Sequence, residues 1–291
     1  MLPTFIGIGA PKAATTWLAR QLREHPDVFL APVKETHFFT QDTIEGCLDQ
    51  YESYFSEAGD EPAVGEISVD YYRSDIVPKR VHQYLPEVRL FVSVRNPIDQ
   101  AYSYYWHFQR QNFHNEGHAD SFEEAIDVFP DRFIQAGLHY ENLRRWLEYF
   151  ERSQLLILFF EDIKQTPEEV VERLYEHIGV DPSFPVQDVN RQGRSTRSGT
   201  SPRGPVVEGV RKTLYDFLIQ SVYNPLKNIV GVPKAAKMKE ALHVRKLMEW
   251  AFRQDGYPDM NPDTRRALRQ RFAEDIAKLE QLMGRDLSHW Q

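Results

Sequence analysis

The amino-acid sequence predicts an α/β fold of the P-loop type: three layers, a central parallel sheet of about five strands, and a helical C-terminal third. Three observations predict it. Short apolar runs alternate with amphipathic helical patterns over the first 180 residues, as expected for strands buried on both faces of a parallel sheet. The first of these runs passes through a tight loop straight into a helix start. Beyond residue 206 the periodicity is helical alone.

Phe5, Ile6 and Ile8 form the first strand, residues 9–14 the loop, and Thr15 or Thr16 opens the first helix. Further strands are expected at 28–31, 64–68, 89–94 and 155–160, with helices at 74–85, 97–111, 121–128 and 140–150. Segment 166–178 opens on Thr-Pro-Glu-Glu and stops at Gly179, a matched pair of start and stop signals. Residues 182–205 are rich in Pro, Gly, Ser, Thr and Arg and read as a long loop, a length uncommon unless functional or mobile. Helices follow at 206–223 and 235–252, and Asn261-Pro262-Asp263 caps a last helix that Gly284 ends. With no internal repeat, low-complexity tract or domain boundary, one domain over residues 1–291 is expected.

A chain of 291 residues is long enough to bury a full core. Its net charge of -8 argues against a general nucleic-acid binder. The single cysteine, Cys47, excludes an intrachain disulfide and gives no support to a cysteine-based metal site. No apolar stretch approaches the ~20 residues that span a bilayer, and the first strand begins almost at Met1, so a cytoplasmic protein is expected. Oligomeric state is not legible.

The first chemical signal is Pro11-Lys-Ala-Ala-Thr-Thr-Trp17. Loop amides and first-turn N–H groups point at an anion there, the helix dipole favours negative charge, and Lys12 adds a full positive charge. The Walker pattern G-x-x-x-x-G-K-[ST] is not met, because Lys12 precedes Thr15 by three residues and Ala13-Ala14 stand where Gly-Lys would be. A second signal is Val94-Arg-Asn-Pro97, where a buried strand delivers Arg95 to its carboxyl end and Ser103 follows two helical turns on. An arginine fork with a hydroxyl suits a second anion; the plain alternative is an arginine paired to a nearby carboxylate. A third is the loop from Arg191 to Lys212, with six basic residues against one acid, Glu208. It reads either as a solvated basic loop or as an anion-binding lid.

Pro-Lys-x-x-Thr-Thr-x and, about eighty residues on, Val-x-Arg-Asn-Pro-x-x-x-x-x-Ser together resemble the PAPS-dependent sulfotransferase family, whose donor is 3′-phosphoadenosine 5′-phosphosulfate. The ending Met283-Gly-Arg-Asp-Leu-Ser-His-Trp290 is similar to the family's usual one. The resemblance implies that Pro11, Lys12, Ala13, Ala14, Thr15, Thr16 and Trp17 hold the 5′-phosphosulfate. It implies that Arg95 and Ser103 hold the 3′-phosphate, joined by Arg197, Arg194 and Ser198 from the basic loop. Pro32-Val-Lys-Glu-Thr-His-Phe-Phe39 resembles the Lys-Glu-x-x-Phe-Phe segment of heparan-type and related bacterial enzymes, which makes Glu35 the implied general base with His37 close by. Thr40 stands where the heparan 3-O-type enzymes have Asp. Glu66-Ile-Ser-Val-Asp-Tyr71 is similar to Glu-Lys-[ST]-Pro-x-Tyr, with Ile67 in place of the lysine and Val69 in place of the proline. Either another group supplies that charge or the acceptor site differs.

The implied reaction moves a sulfuryl group from PAPS to a hydroxyl on a carbohydrate or small metabolite and releases PAP. A sulfuryl group carries less charge than a terminal phosphate, so no metal is required. Two alternatives remain at this level: a P-loop kinase-like phosphotransferase using ATP and magnesium, and a non-catalytic nucleotide-binding protein on the same fold.

Overall fold

The computed structural model describes residues 1–111, 119–186, 200–202, 253–255 and 257–290. The chain divides into two compact units, one of residues 1–105, 113–195 and 260–291, the other of 106–112 and 196–259. Arg194, Arg197 and Ser198 lie outside the described residues, as do the expected helices at 206–223 and 235–252. In the second unit β6 (Thr200–Pro202) pairs antiparallel with β7 (Arg253–Asp255), and the Trp106 ring stacks on Tyr257 with centroids 6.1 Å apart.

The first unit is built on a five-stranded, all-parallel sheet of order β2-β3-β1-β4-β5. Its strands are β1 (Phe5–Gly9), β2 (Val28–Leu30), β3 (Ala63–Ile67), β4 (Arg89–Val94) and β5 (Leu155–Phe159), each within two residues of the expected bounds. Helices α1 (Thr15–Glu24) and α9 (Pro167–Ile178) cover one face. Trp17, Leu18 and Leu22 of α1 and Val170, Leu174 and Ile178 of α9 pack there with Phe5, Ile67, Phe91 and Leu158. The alternate strand residues Ile6, Ile8, Leu90, Val92 and Ile157 are buried as well, so the sheet is covered on both sides. Fully burying one such side chain stabilises by about 1.5–3 kcal/mol.

Between these elements lie α2 (Leu48–Ser53), α3 (Val77–Tyr84), α4 (Pro97–Gln111), α5 (Phe122–Val128), α6 (Pro130–Phe133), α7 (His139–Leu147), α8 (Phe160–Gln165) and α10 (Pro262–Met283). The cap signals fall where expected. The Asn261 side chain accepts from the Asp263 N–H, Ser121 accepts from the Glu124 N–H, and Gly179 and Gly284 end their helices in the left-handed conformation. Helix α9 begins at Pro167 although the Thr166 side chain makes no cap bond, so its N-terminal signal is the proline. Helix α2 and the capping of α7 are two features the sequence pattern does not disclose. The α7 terminus is capped from far away: Asp275 of α10 accepts from the Tyr140 and Glu141 N–H groups, both at 3.1 Å.

His139, at the start of α7, is fully buried, with Nε2 2.7 Å from the Arg95 carbonyl and Nδ1 3.0 Å from the Tyr72 hydroxyl. Burial pulls it down to about 4 and pushes Asp275 up to about 6. The unfolded chain binds more protons at His139 between pH 4 and 6.5, so that residue makes stability rise with pH. The folded chain binds more at Asp275 between about pH 4 and 6, so that residue makes stability fall with pH. Each is worth up to about 3 kcal/mol, and the two oppose each other. Relative to wild type, thermal melts of Asp275→Asn should therefore gain an upward slope of Tm with pH between 4 and 6. His139→Gln should gain a downward one.

Candidate active site

In a parallel sheet every strand ends at one edge, and ligands bind beyond the carboxyl ends. Four neighbouring strands deliver their following loops to that edge: β1 leads to Lys12, β2 to Glu35, β3 to Ser68 and Val69, and β4 to Arg95.

The loop after β1 is pinned at both ends. Ala10 N–H donates to the Ser93 carbonyl at 2.8 Å, and Ala14, in the left-handed conformation, gives its carbonyl to Trp17 and Leu18. Lys12 is also left-handed, with φ of 62°. Among the described residues the N–H groups of Ala13, Ala14, Thr15 and Thr16 donate to no protein acceptor, which leaves four donors at a helix N-terminus. Pro11, Ala13, Thr15 and Trp17 are buried, Lys12 and Ala14 half-buried, and Thr16 exposed. Thr15 and Thr16 thus differ: one hydroxyl is enclosed and the other open to solvent. The Trp17 ring belongs to the core beneath the loop.

Arg95 comes to the same loop. Its Nη1 donates to the Lys12 carbonyl at 3.3 Å and its guanidinium lies 4.5 Å from the centroid of the Phe160 ring. Among the described residues no carboxylate forms an ion pair with it, although the Arg95 charge acts on the buried Glu161 carboxyl and favours its ionised form. The next residue, Asn96, caps α4 by accepting from Ile98 N–H at 3.0 Å and donates to the Trp290 carbonyl at 3.3 Å. Ser103 is buried on α4, and no hydrogen bond joins it to Arg95.

On the other side of β1 stands the loop 32–40. Glu35 and His37 both have positive φ, 68° and 53°, with buried Thr36 between them. Glu35 N–H donates to the Ile67 carbonyl at 3.0 Å, and its Oε2 accepts from Val69 N–H at 2.7 Å. Its Oε1 pairs with Lys34. Glu35 is therefore a held, quarter-exposed carboxylate rather than part of a free charged turn. His37 is no core histidine either: its side chain is 47% exposed, with Nδ1 3.7 Å from Asp70. Thr40 donates to the His37 carbonyl at 2.8 Å, so the residue standing where the related enzymes have Asp closes the turn. Ile67 contributes a buried side chain and the carbonyl that seats Glu35.

The two halves of the edge meet at Gly9. A Cβ there would lie 2.8 Å from Tyr72 Cβ and 3.0 Å from the Val69 carbonyl oxygen, and Val69 is the residue that binds Glu35. Beneath loop 32–40 is a group whose importance the sequence pattern does not reveal. Glu66 is fully buried and accepts from four hydroxyls: Thr36 at 2.5 Å, Ser68 at 2.8 Å, Tyr51 at 2.8 Å and Tyr71 at 3.0 Å. Burial pushes the Glu66 carboxyl up, and these bonds pull it back. Burial, then the Glu66 charge, raises Tyr51 and Tyr71 far above the usual phenol.

A family model for the sulfotransferase domain matches residues 3–197. The chain belongs to the sulfotransferase family. It is 28% identical over 200 residues to the mouse bifunctional heparan sulfate N-deacetylase/N-sulfotransferase 3, a match covering 63% of this chain and 23% of that protein. The human bifunctional heparan sulfate N-deacetylase/N-sulfotransferase 2 matches at 28%, over 62% of this chain and 22% of its own length. The chain thus spans under a quarter of these relatives. The crystal structure of a sulfotransferase from Alicyclobacillus acidocaldarius superposes with a TM-score of 0.68 at 26% identity, covering 100% of this chain and 99% of that one. Domain and fold together support sulfuryl transfer. Among the described residues no helix is long and apolar enough to cross a membrane, and no group of three or more His, Cys, Asp or Glu side chains could hold a metal ion.

Gly9→Ala should lower stability by about 1–3 kcal/mol in urea denaturation, because the added methyl meets the backbone at Val69 as well as Tyr72.

Proposed function

We propose that this chain transfers the sulfuryl group of PAPS to an acceptor hydroxyl, releasing PAP. The observation that carries the reading is the set of four unbonded N–H groups at Ala13–Thr16 with Lys12 on one side of β1 and the held carboxylate of Glu35 on the other. PAPS supplies the sulfuryl group and a phosphate leaving group. The donors at Ala13, Ala14, Thr15 and Thr16 bind the 5′-phosphate, where the helix dipole also favours negative charge. Lys12 stabilises the charge that grows on that phosphate as the bond to sulfur breaks. Arg95 and Ser103 take the 3′-phosphate, and the family resemblance adds Arg194, Arg197 and Ser198 as further partners for it. The Arg95 fork, stacked on Phe160 and anchored to the Lys12 carbonyl, suits this task better than a flexible lysine would.

Glu35 takes the proton of the acceptor hydroxyl as the new O–S bond forms. Its Oε2 keeps the Val69 bond while Oε1 exchanges Lys34 for the acceptor, and the freed ammonium stays beside the developing charge. Positioning and charge stabilisation do the work, with no metal in the scheme. A carbohydrate or small metabolite is the proposed acceptor class. The heparan sulfate in the relatives' names supports a carbohydrate, and their N-sulfotransferase activity makes an amino sugar a necessary member of any acceptor panel.

PAP at 100 times its Kd should stabilise the protein by ~2.7 kcal/mol in a thermal-shift assay, whereas ATP with Mg²⁺ should not; the reverse order would favour a phosphotransferase. Lys12→Ala should reduce transfer from radiolabelled PAPS by ~10²–10³-fold, and full activity would remove that lysine from the mechanism. Glu35→Gln should keep the PAP shift and lose ~10²–10⁴ in turnover. An inactive His37→Ala beside an active Glu35→Gln would move the base to His37.

A further inference from the structure

The Glu66 cluster is a second layer of hydrogen bonds beneath the loop that carries Glu35 and His37. Three of the hydroxyls that donate to the carboxylate also accept from the loop backbone. Ser68 Oγ receives His37 N–H at 3.4 Å, Thr36 Oγ1 receives Phe38 N–H at 3.5 Å, and the Tyr71 hydroxyl receives Phe39 N–H at 3.3 Å. A hydroxyl has one hydrogen and two lone pairs. By taking each hydrogen, the carboxylate turns the lone pairs of all three hydroxyls toward consecutive N–H groups at 37, 38 and 39.

We infer that Glu66 is a positioning residue for the proton transfer: its carboxylate sets the direction of three hydroxyls, and these hold residues 36–39 so that Glu35 and His37 keep their left-handed backbone at the sheet edge. The inference rests on Glu35 being the base. Both residues sit in a conformation that non-glycine residues seldom adopt and that is costly, so the loop needs an anchor that over-determines it. Thr36, between them, is the anchor point, bonded to Glu66 at 2.5 Å and 3.1 Å from the Tyr71 hydroxyl. Phe38 and Phe39, stacked on and edge-on to the Tyr51 ring, seat the far end of the loop. Among the described residues no cation pairs with Glu66. For stability alone, well-packed apolar side chains of similar volume would often serve as well as a buried ionisable group. What an apolar replacement cannot supply is direction. A carboxylate that accepts from all four hydroxyls fixes where each hydrogen points.

Glu66→Gln is the sharp substitution. It keeps the shape but replaces one acceptor oxygen by an NH₂ group, so two hydroxyls must accept where they had donated and can no longer present the same lone pairs to the loop. With PAPS and the best acceptor of the panel, kcat should fall roughly 10–100-fold, while the KM for PAPS and the PAP thermal shift stay at wild-type values. In the Glu35→Gln background the same change should alter kcat by no more than about twofold, because a residue that acts through Glu35 has nothing left to act on. Thr36→Val and Ser68→Ala each cut one thread of the network and carry the same expectation, so a Glu66 variant that does not fold leaves the test intact. Wild-type kcat in Glu66→Gln beside a slow Glu35→Gln would overturn the positioning role alone. So would an undiminished loss in the Glu35→Gln background, or a PAP shift that falls with kcat, since either marks general structural damage. Wild-type turnover in Glu35→Gln would instead overturn the base assignment.

Discussion

Strand β1 lies between β3 and β4 in parallel register, Phe5 opposite both Gly65 and Arg89, and that pairing sets where every functional group stands. Because the strands run the same way, the loops after β1, β2, β3 and β4 emerge on one edge. The pairing carries the chain past Gly9 so closely to Val69 and Tyr72 that a methyl group would not fit. It also lets the Ser93 carbonyl catch Ala10 N–H and hold the loop that ends at Ala14. A slip of one residue in β1 would turn Phe5 away from the α1–α9 core and send Lys12 to a different height above the edge.

Once that edge exists, its two sides work by different physics. On the β4 side the groups are donors and positive charge: the α1 N-terminus, Lys12, and Arg95 over the Phe160 ring. These are the groups proposed to receive the donor's phosphates. On the β2–β3 side the groups are carboxylates, each satisfied in its own way. Glu35 is held at the surface by one N–H and a lysine, free enough to exchange a partner. Glu66 is sealed below, with four hydroxyl donors on its two oxygens. One carboxylate suits chemistry and the other suits support, and their surroundings make the difference rather than their residue type.

The sheet, its order of elements and the placing of Lys12 and Arg95 at its edge were legible because their signals are local. A short apolar run, a loop with Lys12 and a helix start can be read within a dozen residues, and Arg95 is delivered by the strand that precedes it. Glu35 and His37 were legible through resemblance, since a charged turn before two phenylalanines has no periodicity of its own. The Glu66 network was not legible as a network. Its hydroxyls come from Tyr51 on α2, Thr36 on a loop, and Ser68 and Tyr71 after β3, up to 30 residues from the carboxylate. No spacing rule links them. The same holds for the Asp275 cap on α7, made across 134 residues, and for the Asn96 bond to Trp290, made across 194. Contacts of that kind are set by the sheet's topology, which only the folded chain displays.

In the proposed reaction a donor phosphate and an acceptor hydroxyl meet across β1, between the Ala13–Thr16 amides and Glu35. A crystal structure of the chain with PAP and a hydroxyl-bearing acceptor analogue tests it most directly. The 5′-phosphate is expected on the amides of Ala13 to Thr16, the 3′-phosphate on Arg95, and the acceptor oxygen within hydrogen-bond reach of a Glu35 carboxylate oxygen. A phosphate bound away from those amides, or an acceptor oxygen that contacts His37 while Glu35 remains on Lys34 and Val69, would contradict it.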